Sequence, residues 1–320
     1  MLPRYPIYIP SKGRASVPQT AKVLTRMGLP FYLVVEETEA EEYKALGLGN
    51  VLVLPFHDLG QGSIPARNWI WEHAISKDAA RHWVIDDNIS RFYRMSYGRR
   101  IKVDSPGIFC AAEDFTDRYT NVAFSGMANL AFSDPLTHRA PFILNTRIYS
   151  ITLINMALPY RWRGRYNEDT DICLRALKDG WCTIQFFAFL ADKATTMGMK
   201  GGNTDLLYAT GDRRLQFAKS LREQHPDCVK VVWKYNRWHH QVDYKKFRRN
   251  KLKPIMGLTP VPKNNEYGMR LKRVVPAAVE PTKPLAKPPK PGLPVKLCPT
   301  NVDKFAGGMN PDTTPVDIPF

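Results

Sequence analysis

Long hydrophobic runs are missing from this 320-residue chain, and so is any closely spaced pair of cysteines. No stretch approaches the roughly 20 apolar residues that cross a bilayer. The segment from Met1 to Arg14 also lacks the apolar core of a secretory leader. No membrane association is expected, and the expected compartment is the cytoplasm. The five cysteines, Cys110, Cys173, Cys182, Cys228 and Cys298, are scattered. That scatter argues against a zinc site or a disulfide framework and for a reducing environment. Acidic residues are scarce: 30 Asp and Glu face 46 Lys and Arg, giving a net charge of +16. Such an excess draws in polyanions, and nucleic acid, nucleotide diphosphates and anionic membrane surfaces all fit the field. A basic protein with no polyanionic partner fits the charge as well. Hydrophobic residues make up 44% and aromatics 11%, enough to build a core and to exclude wholesale disorder.

What is present first is an alternation of short apolar runs and helical patterns over residues 5 to about 90. Ile7-Tyr8-Ile9, Phe31 to Val35, Val51 to Leu54 and Trp83-Val84-Ile85 read as strands. Val17 to Met27, Thr38 to Ala45 and Ile64 to Ser76 read as the helices between them, with Gly28 as a stop and Pro65 in a first turn. This order predicts βαβ units and a mostly parallel sheet in this region. Ligands of such sheets bind beyond the carboxyl ends of the strands. Polar clusters stand there after Ile9, after Val35 (beginning with Glu36) and after Ile85. Val122-Ala123-Phe124, Phe142-Ile143-Leu144 and Thr183 to Leu190 are further strands. Glu168 to Lys178 is a helix with Asn167 as its cap and Gly180 beyond its end. Three regions are expected: a catalytic domain over 1–210, a basic aromatic extension over 211–273, and a proline-rich disordered or extended tail over 274–320.

Five clusters carry chemistry. Adjacent carboxylates at Asp86 and Asp87, followed by Asn88, are costly at a buried strand end without a cation or donors. A Mg²⁺ or Mn²⁺ ion bridging a diphosphate supplies one; a turn capped by Asp and Asn is the competing reading. Pro10-Ser11-Lys12-Gly13-Arg14 offers a hydroxyl and two cations to a nucleotide, and Arg67 and Asn68 add further contacts unless they are solvated helix surface. Glu168 and Asp169 lie where a helix dipole favours acids, and either suits a general base for an acceptor hydroxyl. Lys193 and Lys200, with Gly201 and Gly202, suit a loop closing over a diphosphate or an ordinary connector. Arg237, Trp238, His239, Lys245, Lys246, Arg248 and Arg249 combine phosphate-tracking cations with stacking faces. His239 and His240 form an incomplete metal site, so packing or phosphate contact is the expected role.

Taken in order, Tyr8 to Arg14, Ala66-Arg67-Asn68-Trp69, Ile85 to Ile89 and Asn167 to Asp171 resemble the TET-associated glycosyltransferases of bacteriophages and their relatives. The resemblance spans about residues 5–205 and excludes the tail. It implies an α/β, GT-A-like mixed sheet with flanking helices. It also implies transfer of a sugar from a nucleotide sugar, UDP-linked by expectation, to 5-hydroxymethylcytosine in double-stranded DNA. By the same resemblance Asp86 and Asp87 serve metal and donor, and Pro10, Ser11, Lys12 and Arg14 form the donor loop. Glu36, Arg67, Asn68 and Lys200 join the donor side, and Asp169, with Glu168 as competitor, is the catalytic carboxylate. Two positions depart from the GT-A pattern. Asn88 replaces the last acid of Asp-x-Asp, and no histidine lies between His138 and His225. A late metal ligand is therefore left to Asp192, His225 or solvent. Competing functions are transfer to a protein or small-molecule hydroxyl, nucleotidyl transfer, and nucleic-acid binding without catalysis.

Overall fold

A computed structural model describes residues 1–133, 140–164, 166–194 and 213–257. All of these belong to one compact unit. The proline-rich tail, Lys200 and the glycine-lysine loop around it lie outside the described residues.

The opening alternation folds as its periodicity predicts. Strands β1 (Ile7–Pro10), β2 (Tyr32–Val35), β3 (Asn50–Val53) and β4 (Arg81–Ile85) are joined by α1 (Gln19–Arg26), α2 (Ala40–Ala45) and α3 (Ile64–Ser76). They pair in parallel in the order β3-β2-β1-β4. Side chains of successive strand residues enter opposite layers, because a strand repeats every two residues. Ile7, Ile9, Leu33, Trp83 and Ile85 join one buried cluster with α1 and α2 residues. Tyr8, Val34 and Val84 join another with α3. Helices thus cover both faces, which is why these strands read as continuous apolar runs.

Beyond β4 the sheet turns mixed, and here the mostly parallel expectation ends. A hairpin of β5 (Ile89–Ser96) and β6 (Arg99–Val103), a helix α4 (Gly107–Thr116), and strands β7 (Val122–Asn129), β8 (Phe142–Leu144), β9 (Ile151–Asn155) and β10 (Cys182–Lys193) follow. The full order is β3-β2-β1-β4-β9-β7-β10-β5-β6, with β8 also on β10. Strand β9 inserts antiparallel between β4 and β7. Gly126 of β7 makes that entry possible: a Cβ there would overlap the Ile151 carbonyl oxygen and the Ile148 side chain. Gly126→Ala is expected to cost about 3 kcal/mol by overpacking, measured as a lowered urea midpoint with unchanged slope.

Helix α5 (Glu168–Lys178) packs on the α3 side of the sheet. The basic segment that follows is not an appendage to this core. Its helix α6 (Arg214–Gln224) and hairpin β11 (Val229–Lys234)–β12 (Arg237–Val242) bury Leu221, Val229 and Val242 against Leu174 and Leu177 of α5. Burial of that small cluster fixes the hairpin against α5. Asn167 departs from the expected cap. It adopts a left-handed φ of 56° without a side-chain cap, and its amide instead donates to the Phe217 carbonyl at 3.1 Å.

Candidate functional site

Parallel pairing brings the ends of β1, β2 and β4 to one edge, and each ends in polar residues. After β4, Asp86 and Asp87 turn back towards β1 and β10. Ser11 Oγ donates to Asp87 Oδ2 at 2.7 Å, and the Arg14 guanidinium, almost fully buried, pairs with Oδ1. Ser11 also contacts the Tyr43 hydroxyl at 2.7 Å, which locks the loop after Pro10 to α2. Gly13 takes a left-handed φ of 66°, and its N–H donates to Glu39 at 2.8 Å. Lys12 reaches Glu36 at the end of β2 at 2.7 Å and also pairs with Asp58.

Asp86 faces the other way. Arg67 of α3 meets its Oδ1 at 3.0 Å, and Lys193, the last residue of β10, meets Oδ2 at 2.8 Å. Lys193 also donates to Ser150 Oγ at 2.8 Å, and the Ser150 carbonyl accepts the Asp86 N–H at 2.7 Å. Ser150 holds a left-handed φ of 64°, a costly conformation for serine that these contacts maintain. Burial pushes the Asp86 carboxyl up, but Lys193 and Arg67 outweigh it and bring it down to about 2. A depressed carboxyl contributes stability above its ordinary value near 4 that is lost as pH falls towards 2. The contribution is about 2 kcal/mol. The gap in unfolding free energy between wild type and Asp86→Asn is expected to narrow by that amount over this window. A constant gap would refute the pairing.

Arg67 further stacks on Trp162, its guanidinium carbon 4.9 Å from the ring centre. Asn68, expected to touch the nucleotide, is instead committed to the Trp162 backbone. Its amide donates to the carbonyl at 2.9 Å and accepts from the N–H at 2.8 Å. Asn68 therefore positions Trp162 and, through it, Arg67.

The acids at the start of α5 come to the same region. Burial pushes the Glu168 carboxyl up, Arg67 opposes this, and Asp169 and Asp86 add to it. Asp169 accepts from the Thr170 N–H at 2.8 Å. Its charge acts on Lys193, on Arg147 and on His240 of β12. Arg67 and Asp86 thus act on the Glu168 carboxyl, and the Asp169 charge acts on both Lys193 and the hairpin. Burial drives His240 down to about 4, helped by Arg147, so its ring is neutral at pH 7. Asp171 lies elsewhere. It is a buried hub for Arg163, Arg175 and His225, at 2.9, 3.0 and 2.8 Å. The His225 contact uses Nε2, and its buried Nδ1 has no hydrogen-bond partner.

The loop carrying Arg147, Tyr149 and Ser150 was not legible in the sequence. Asn145, at a left-handed φ of 59°, anchors it by donating to the Phe247 and Asn250 carbonyls, each at 2.9 Å. An isolated Asn before an arginine gives no motif, so no signal pointed to it. The proposed DNA contacts divide in two. Arg237, Trp238 and His239 lie on β12, while Lys245, Lys246, Arg248 and Arg249 are exposed on and after a short turn at Tyr244–Phe247.

A divalent ion does not fit Asp86 and Asp87 as their side chains stand. Each of the four carboxylate oxygens already faces a cation or a hydroxyl. An ion there would have to share these oxygens with the side chains that hold them, or displace those side chains. Among the described residues no three His, Cys, Asp or Glu side chains converge on a common point. Asn88, in the position of the last acid, donates to the Ala194 carbonyl at 3.1 Å and leaves only one buried amide oxygen unpaired.

The loop after β1, the paired acids and Lys193 meet beyond the carboxyl ends of the parallel strands, where open α/β sheets bind their ligands. A family model described as TET-Associated Glycosyltransferase matches residues 5–202. The chain belongs to this family. Its mixed sheet flanked by helices is the GT-A-like arrangement, and its activity is glycosyl transfer between a sugar donor and an acceptor. Comparison with curated proteins found no match. Among the described residues, no helix of this glycosyltransferase is long and apolar enough to cross a membrane.

Proposed function

We propose that this glycosyltransferase moves a sugar from a nucleotide sugar, most simply a UDP-sugar, to the hydroxymethyl group of 5-hydroxymethylcytosine in double-stranded DNA. The observation that carries the reading is the convergence of Ser11, Arg14, Arg67 and Lys193 on Asp86 and Asp87, with the Asp169 charge acting on Lys193. The nucleoside would lie over the loop after β1, with Lys12 and Glu36 at its rim. Lys193 and Arg67, held ready by Asp86, would balance the charge that develops on the leaving diphosphate. Asp169 would take the proton of the attacking hydroxyl. No step in this scheme passes through a metal ion.

The charge of +16 supports a polyanionic acceptor, as do the exposed cations of β12 and residues 245–249. A cytoplasmic setting, of the host cell if a phage encodes the protein, follows from that acceptor. The test is incubation with radiolabelled nucleotide sugars and duplex DNA carrying 5-hydroxymethylcytosine. Label in the DNA is the expected result. Nucleotide release without labelled DNA would indicate another acceptor, and DNA binding with neither would indicate a non-catalytic module.

A further inference from the structure

We propose that the tip of the β11–β12 hairpin stacks on a base of the acceptor duplex, with Trp233 and Tyr235 as the contacting rings. This rests on the reading of DNA as the acceptor. The register sets Val229, Val231 and Trp233 opposite Val242, His240 and Trp238, so these six residues share one face. At its base that face is core, with Val229 and Val242 buried against α5 and α6. At its tip Trp233 is 55% exposed, while Tyr235, 60% exposed in the turn, meets His239 of the opposite face edge to face with ring centres 6.2 Å apart. Trp233 meets Trp238 edge to face with ring centres 5.2 Å apart, a contact that fixes the outer ring without covering it. Midway along, His240 lies within reach of the Asp169 charge. The apolar face therefore runs from the core, past the candidate base, to the exposed Trp233 ring, with the Tyr235 ring on the other side of the turn.

The turn itself points the same way. Tyr235 and Asn236 both hold left-handed φ values, 52° and 56°, as a two-residue hairpin turn of this hand requires. Asparagine suits that conformation, and tyrosine does not. From Cys228 to Val242 there is no acidic residue, while Lys230, Lys234 and Arg237 flank the rings. A two-stranded ribbon has the width of the major groove, and aromatic faces stack on bases of any sequence. The rings lie beside cations suited to phosphates, and the strip leads back to the proposed base for a nucleobase hydroxyl. Together these favour DNA over a lipid surface.

The test uses the full chain with Trp233→Ala and Tyr235→Asn, the second a change that the turn conformation favours. Binding to a hydroxymethylcytosine duplex is read by fluorescence anisotropy across a salt series. Each variant is expected to bind about tenfold more weakly, with an unchanged slope of affinity against salt because no phosphate contact is lost. Trp233→Phe should restore most of the affinity. 2-Aminopurine beside the modified base should brighten with wild type and not with the ring variants. Variants that bind DNA like wild type would overturn the proposal and leave the DNA reading standing. So would lost binding to anionic phosphatidylserine vesicles with DNA binding intact. If wild type binds no duplex, both readings fall.

Discussion

Alanine at Lys193 is expected to lower sugar transfer about 10²- to 10³-fold, the cost of removing one fixed donor from a developing anion. Lys193 ends β10 beside Ile89, the first residue of β5 after the acid turn, and its ammonium bridges Asp86 and Ser150. Its position is therefore set by two strands and a strained loop. Burial lowers the ammonium's proton affinity, but Asp86 more than restores it, so the group is a cation at neutral pH. The loss should appear in kcat, with a smaller change in KM, if Lys193 acts on the leaving group. A rise in KM alone would reduce it to a ground-state contact. The same reasoning bears on metal. Isothermal titration of a nucleoside diphosphate in excess EDTA is expected to give an affinity within a few-fold of that with Mn²⁺. Binding that vanishes on chelation would show that an ion shares or takes over the Asp86 and Asp87 oxygens in the working enzyme.

Asparagine at Asp169 carries the second large effect. A positioned base contributes typically 10²- to 10⁴-fold, so Asp169→Asn is expected to lose transfer by about that factor while still binding nucleoside diphosphate. Glu168→Gln should cost less, because Arg67 and Asp86 act on the Glu168 carboxyl while the Asp169 charge acts on the hairpin. The reverse ranking would exchange the two roles. Both changes keep size and the first turn of α5, so circular dichroism and urea unfolding should match wild type. Alanine at Asp87 is a poorer probe, since it strands the buried guanidinium of Arg14. Breaking one partner of a buried pair typically costs about 3–5 kcal/mol.

The sequence by itself determined the parallel half of the sheet and the chemistry at its edge. Strands such as Ile7-Tyr8-Ile9 are buried on both faces and bounded by turn residues, so their pattern is local and needs no partner to be read. Pro10 to Arg14, Arg67, Asp86, Asp87 and the acids of α5 were visible for the same reason: each is a short run of unlike character at an element's end. The tertiary structure alone decided how these runs are connected. Nothing in the residues around Ile151 announces an antiparallel strand wedged between β4 and β7, because both neighbours come from earlier in the chain, about 70 and about 30 residues before it. Ser150 and Arg147 reach the site only through that insertion. Asn68 resembled a ligand contact and proved to hold Trp162, since hydrogen-bond partners 94 residues apart leave no trace in local pattern. The basic segment was legible as charge, but its place against α5 depends on a few buried side chains, Leu221, Val229 and Val242. Pattern reports what each segment can bury; only packing decides what it is buried against.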